Sequence, residues 1–221
     1  MLIDSELWTL FRLTADGDGA RVGELLLDQP ALARAAAPDG AQRTLSTPYF
    51  LQAIGHYAYA GDTGLHIAAG AYDTDVARRL VALGADVAAR NRHGATPLHY
   101  AAAGNPNSMH WDPAAQAQMI EYLLSIGADP NAADARRVAP LHVAVRTRCA
   151  AAVRTLLSGG ADARLENGNG SAPLDLAIRP TGRGGSGSAA AHEQQESIIQ
   201  LFTDAGGKTA ERVKRRRGRR R

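Results

Sequence analysis

Apolar residues recur in pairs spaced four apart along the middle of the chain. Val76, Ala77, Leu80 and Val81 fall at i, i+1, i+4 and i+5, which is one face of a helix. Met119, Ile120, Leu123 and Leu124 repeat the pattern, as do Ala152, Val153, Leu156 and Leu157, and Ile198, Ile199 and Phe202 give a looser copy. A glycine stop follows each predicted helix, at Gly84, Gly127, Gly160 and the degenerate Gly206-Gly207-Lys208, because glycine takes the left-handed conformation that ends a helix. Upstream of each runs a second motif: Thr63-Gly64-Leu65-His66-Ile67-Ala68, Thr96-Pro97-Leu98-His99-Tyr100-Ala101, Ala139-Pro140-Leu141-His142-Val143-Ala144 and Ala172-Pro173-Leu174-Asp175-Leu176-Ala177. The copies lie 33, 43 and 33 residues apart. Each unit therefore reads as helix, turn, helix, then a hairpin-like loop to the next. A fixed period means stacked units that bury their apolar faces on one another.

The first helices carry their own start signals. Thr63 and Thr96 are N-cap candidates whose hydroxyls accept a free backbone N–H. Pro97, Pro140 and Pro173 sit at the first helical position, where no N–H is needed. Ala139 and Ala172 replace the capping threonine. The amino end reads as a worn unit, with Leu7, Trp8, Leu10 and Phe11 on one helix, a turn at Asp16-Gly17-Asp18-Gly19, and Val22, Leu25 and Leu26 on a second helix ending near Pro30. Residues 35–60 are too long for an ordinary connection. They hold Pro48, Tyr49, Phe50, Leu51, Ile54, Tyr57 and Tyr59, and should fold back as a long hairpin or short helix against the stack. Two insertions, Gly104–Ala114 and Pro180–His192, lengthen inter-helix turns and should share one edge.

These motifs resemble the ankyrin-repeat family, and the long loop and insertions are similar to those of bacterial members. The resemblance covers about residues 5–208. It implies an all-α solenoid: a curved stack of L-shaped repeats that binds other proteins through hairpin tips and inner helices, with no intrinsic catalysis and no cofactor. The division expected is a degenerate capping repeat at 1–34, an extended loop or hairpin at 35–60, and repeats at 61–90, 91–133, 134–166 and 167–208. Residues 209–221 are expected to be a disordered basic tail. On the family pattern Arg137 stands at the usual hairpin glycine and Arg148 at the usual inter-helix glycine, so both should strain the backbone or shift the turn.

Charge changes the picture further. The net +3 hides a division. Residues 211–221 hold eight of 25 basic residues and one of 22 acidic ones, leaving the tail at +7 and the rest at −4. The tail residues Arg212, Lys214, Arg215, Arg216, Arg217, Arg219, Arg220 and Arg221 suit nucleic-acid phosphates or an anionic membrane surface. An inert solubilising end is the alternative. Heavy Arg and Ala use points to a GC-rich, bacterial genome. One cysteine excludes an internal disulfide and suits a reducing compartment. No apolar run reaches a membrane span, and the amino end lacks a basic signal-peptide region. A soluble, cytoplasmic monomer is expected.

Candidate partner-binding residues are Arg92, His93, Met109, Trp111, Arg136, Arg137, Arg146, Asn169 and Arg179. With Arg148, the arginines form a basic strip suited to an acidic protein partner, since guanidinium binds carboxylate in a bidentate fork. Against this stands a solvated polar face with its arginines neutralised by Asp86, Asp129, Asp134 and Glu166. Trp111 is an interface anchor or folds onto its own repeat. His66, His99 and His142 form a ladder one repeat apart, which suits structural hydrogen bonding better than a converging metal or catalytic site. Cys149 is a lone thiol; the adjacent Arg148 could lower its pKa, but a cysteine without a local His–Asp constellation is usually inert. Gly182–Ser188 lacks the strand and Lys-Ser/Thr pair of a phosphate loop and reads as a flexible turn. No zinc spacing, nucleophile motif or carboxylate pair appears, so neither metal nor enzyme is expected.

Overall fold

A computed structural model describes residues 5–106, 111–179 and 187–204. The chain divides into two compact units, Met1–Ala101 with Gln118–Asp129, and Ala102–Ala117 with Pro130–Arg221. Helices α1 (Glu6–Ala15), α2 (Gly19–Asp28), α3 (Gly64–Ala71) and α4 (Thr74–Ala82) belong to the first unit. Helices α5 (Pro97–Ala102) and α6 (Pro113–Ser125) are divided between the two. Helices α7 (Pro140–Arg146), α8 (Ala150–Ser158), α9 (Pro173–Ala177) and α10 (Ala189–Asp204) belong to the second. Among the described residues the architecture is helical, apart from one short hairpin in the first unit.

The helices start where local polar chemistry allows. Asp18 and Asp73 accept from the backbone N–H of Arg21 and Val76, at 3.1 and 2.9 Å, which satisfies free donors at the starts of α2 and α4. Asp112 does the same for α6 through Ala114 and Ala115. The α6 start at Pro113 leaves the first insertion shorter than expected. Likewise α10 begins at Ala189 and takes four residues assigned above to the second insertion. Residues 107–110 and 180–186, the rest of those insertions in part, lie outside the described residues.

The caps of the first helices work differently from the expectation. The hydroxyls of Thr63 and Thr96 lie 3.0 and 2.9 Å from Nδ1 of His66 and His99. The backbone N–H groups of the same threonines donate to that nitrogen, at 3.2 and 3.1 Å. Ala139 donates to His142 Nδ1 at 3.2 Å without a hydroxyl, and Ala172 donates to Asp175 Oδ2 at 3.1 Å. The recurring histidine is therefore the cap, and Asp175 substitutes for it. Because Nδ1 accepts, the proton sits on Nε2, which donates to Ala95 O from His66 and to Ser171 O from His142, both at 3.1 Å. Each ring thus ties a helix start to the next loop. Burial lowers the pKa of His66 and His142 and keeps them neutral.

The first unit buries Trp8, Leu10, Phe11, Leu65, Ile67, Leu80, Leu98, Met119, Ile120 and Leu123. The second buries Leu141, Val145, Val153, Leu156, Ile198 and Phe202. Each large side chain removed from water contributes about 1.5–3 kcal/mol. Residues 35–60 follow a 3-10 turn at Pro30–Arg34 and pass through a second at Thr47–Tyr49. Strands β1 (Phe50–Leu51) and β2 (His56–Tyr57) then pair antiparallel around a third turn. Tyr49 anchors the segment on Trp8 of α1, with ring centroids 5.2 Å apart.

Candidate partner-binding surface

Each hairpin tip is built by one side chain. Asn91 Oδ1 accepts from the backbone N–H of His93 and Ala95, at 2.9 and 3.1 Å. Asp134 accepts from Arg136 and Val138, both at 2.8 Å, and Asn167 from Asn169 and Ser171, at 2.9 and 3.1 Å. An Asn or Asp oxygen folds the backbone onto itself in this way and holds the residues between at the tip. Those residues are Arg92 and His93, Arg136 and Arg137, and Gly168 and Asn169, and all are exposed. Sequence reasoning named most of these tip residues but gave the organising Asn91 and Asn167 no part. Their recurrence at one offset was the available signal.

Asp86 and Asp134 form no ion pair with an arginine among the described residues. Asp86 and Asp134 spend an oxygen on backbone donors, Asp86 on Ala88 at 2.8 Å. Among the described residues none of Arg43, Arg92, Arg136, Arg137 and Arg146 forms an ion pair.

In the first unit the 35–60 segment meets the tip bearing Arg92. Residues 36–41 run beside 58–63, with Ala37 N–H on Asp62 O at 2.7 Å and Ala41 N–H on Ala58 O at 2.8 Å. Gly40 permits this, since a Cβ there would collide with the backbone of Tyr59 and Ala60. The result is a cleft of about 340 Å³ lined by Ala41, Gln42, Arg43, Ser46, Tyr57, Tyr59, Arg92 and His93. Arg92 Nη2 donates to Ala41 O and its Nε to His93 Nε2 at 3.3 Å. The Arg92 guanidinium also lies 5.2 Å from the Tyr59 ring centre, and His93 meets that ring edge-on at 4.6 Å.

A buried polar network stands behind the cleft. Asp62, fully enclosed, accepts from Tyr59 N–H at 2.7 Å, Asn91 Nδ2 at 2.9 Å and the Tyr100 hydroxyl at 2.7 Å. One carboxylate therefore braces Tyr59 on one wall and, through Asn91, the turn that carries Arg92 on the other. Burial and the adjacent Asp62 push the Tyr100 phenol well above its ordinary value, while burial lowers the pKa of His56, stacked 4.9 Å from the Tyr100 ring.

In the second unit Arg136 and Asn169 belong to adjoining tips, linked by Gly168 N–H on Arg136 O at 2.9 Å. Arg179 is exposed and donates to Ser171 Oγ at 3.0 Å, and Arg146 is exposed at the end of α7. Arg148 leaves the proposed strip. It is buried, and its guanidinium donates to the carbonyls of Val145, Leu176 and Arg179 at 3.3, 3.3 and 2.9 Å. It thereby adds a donor to carbonyls near the ends of α7 and α9 that also accept from the N–H of Arg148 and Arg179 and from Gln195. Arg137 and Arg148 keep the glycine-type turn, with φ of 56° and 63°, so the sequence change strains the backbone rather than altering the turn. Trp111 is half-buried and donates to Gln116 Oε1 at 2.9 Å. Gly104 makes room, since a Cβ there would stand 2.6 Å from Cys149 Sγ and 2.8 Å from Trp111 Nε1. Cys149 is not activated by its neighbour; burial pushes its thiol up to about 11. Met109 and the tail residues from Arg212 to Arg221 lie outside the described residues.

Among the described residues no group of three His, Cys, Asp or Glu side chains is arranged to hold a metal. No described helix is long and apolar enough to cross a membrane. Family models for ankyrin repeats match residues 32–111 (three copies), 93–135 (a single repeat) and 117–177 (many copies). No curated protein sequence matches the chain.

Proposed function

The chain belongs to the ankyrin-repeat family, whose repeats are generally protein–protein interaction modules, and from that membership we propose a non-enzymatic scaffold that holds a protein partner. The observation that carries this reading is the set of exposed arginines on rigid tips. Arg92, Arg136 and Arg137 stand on turns closed by Asn91 and Asp134, and none has an ion partner among the described residues. An arginine whose backbone is held in a closed turn loses less freedom on binding a carboxylate than one on a mobile loop. The expected partner surface is acidic, with His93, Trp111, Arg146, Asn169 and Arg179 as further contacts. In this reading residues 61–208 act as four repeats behind a capping repeat at 1–34, in a cytoplasmic monomer.

Capture from nuclease-treated lysate, comparing residues 1–221 with 1–210, tests the proposal. Specific proteins retained by both chains, and lost when Arg136→Glu is introduced, support it. Retention unaffected by Arg136→Glu and by Trp111→Ala counts against these residues as the binding surface. The separation of charge, +7 in residues 211–221 against −4 elsewhere, favours a second reading in which the tail binds nucleic acid or an anionic surface. Capture by the full chain alone, abolished by nuclease, would select it.

A further inference from the structure

We infer that the cleft between the 41–59 loop and the Arg92–His93 tip receives an acidic side chain of a partner peptide, and that the surface beside it takes an adjoining apolar residue. The inference rests on the scaffold reading and names the chemistry one part of the scaffold selects. The cleft presents two guanidinium groups without a carboxylate among the described residues, Arg43 and Arg92. Its walls are Tyr57 and Tyr59, with Gln42 and Ser46 as neutral hydrogen-bonding groups. At about 340 Å³ it has the size of a small-ligand pocket and takes a side chain or two, not a folded element. Arg92 is already fixed by Ala41 O and the Tyr59 ring, so little of its freedom remains to be lost.

The apolar half of the inference comes from exposure. Leu45 is 51 %, Phe50 37 % and Tyr57 38 % exposed, and large apolar side chains left in water together mark an interaction surface. They adjoin the cleft. Leu45 shares a turn with the lining residue Gln42 through reciprocal backbone bonds of 2.9 and 3.2 Å, and Phe50 pairs with the lining residue Tyr57 at 4.8 Å. A free small anion would leave that surface unused. A nucleic-acid strand would need a basic groove that tracks its backbone, whereas this is one short cleft on a chain whose charge outside the tail is negative.

The test pans the full chain against a displayed library of random dodecapeptides and measures labelled, selected peptides by fluorescence anisotropy. Expected are peptides with Asp or Glu beside Leu, Phe or Tyr. Arg43→Glu should weaken them by about ten-fold or more, Tyr57→Ala less, and Arg43→Lys least, while Arg154→Glu, exposed on α8, leaves them unchanged. Arg43 is exposed and its side chain makes no bond among the described residues, so its variants should melt with the native chain. Selected peptides without acidic residues, or insensitive to Arg43→Glu, overturn the inference. Sensitivity to Arg136→Glu alone overturns it while leaving the scaffold reading intact. Binding of single-stranded oligothymidylate that Arg43→Glu abolishes overturns it in favour of nucleic acid. The scaffold reading fails separately, when lysate capture retains no protein.

Discussion

Two arginines in left-handed backbone show how differently one strained conformation can be compensated. Arg137 has φ of 56° at an exposed tip, and its side chain makes no bond among the described residues. Arg148 has φ of 63° and distributes its guanidinium over carbonyls of two successive first helices. Arg137→Gly should therefore stabilise the protein by about 0.5–1 kcal/mol, the left-handed strain less the entropy of the added glycine. Arg148→Ala keeps the strain and removes guanidinium bonds from carbonyls that keep one other donor each, so it should destabilise by about 1–3 kcal/mol. Denaturant titration of both variants checks the contrast. Unchanged stability in Arg148→Ala would mean that the carbonyl bonds contribute nothing.

At the scale of the element, the helix cap is a histidine, and the threonine hydroxyl is an addition to it. Ala139→Thr should place a hydroxyl on His142 Nδ1, as at Thr63 and Thr96, and raise stability by about 0.5–1 kcal/mol. An unchanged melting temperature would show that Nδ1 is already saturated by the backbone N–H. The helices were legible because their apolar residues and glycine stops recur, so each copy checks the others. Residues 35–60 occur once and had no such check. Their course depends on bonds to distant backbone, Ala41 to Ala58 and Arg92 to Ala41, and on a glycine chosen for what passes above it. For the same reason Arg92 and His93 stood out on a recurring tip. Arg43 and Tyr57, across the cleft, belong to no period and could not be placed beside them. Arg148 misled because a charged residue in a turn reads as solvent-facing unless the carbonyls waiting for it are known.

For the molecule as a whole, buried neutral histidines make stability depend on pH in one direction. His56, His66 and His142 all have pKa values lowered by burial, so the unfolded chain binds protons that the folded chain refuses. Their contribution is complete above the unfolded value near 6.5 and is lost as pH falls below it, so melting temperature should drop between about pH 7 and pH 5. A flat profile across that window would mean the rings take up protons equally in the folded and unfolded chains. The first two histidines belong to one unit and the third to the other, so both units should weaken. The long reach of the capping rings also has a meaning in time. His66 and His142 each find their Nε2 acceptor 29 residues further along the chain. During synthesis at roughly 5–20 residues per second, each nascent helix would wait about 1.5–6 s with its ring donor unmet. Maturation on the ribosome is therefore paced by the repeat to come, and a pause in translation just after His66 or His142 would hold the preceding helix unfinished.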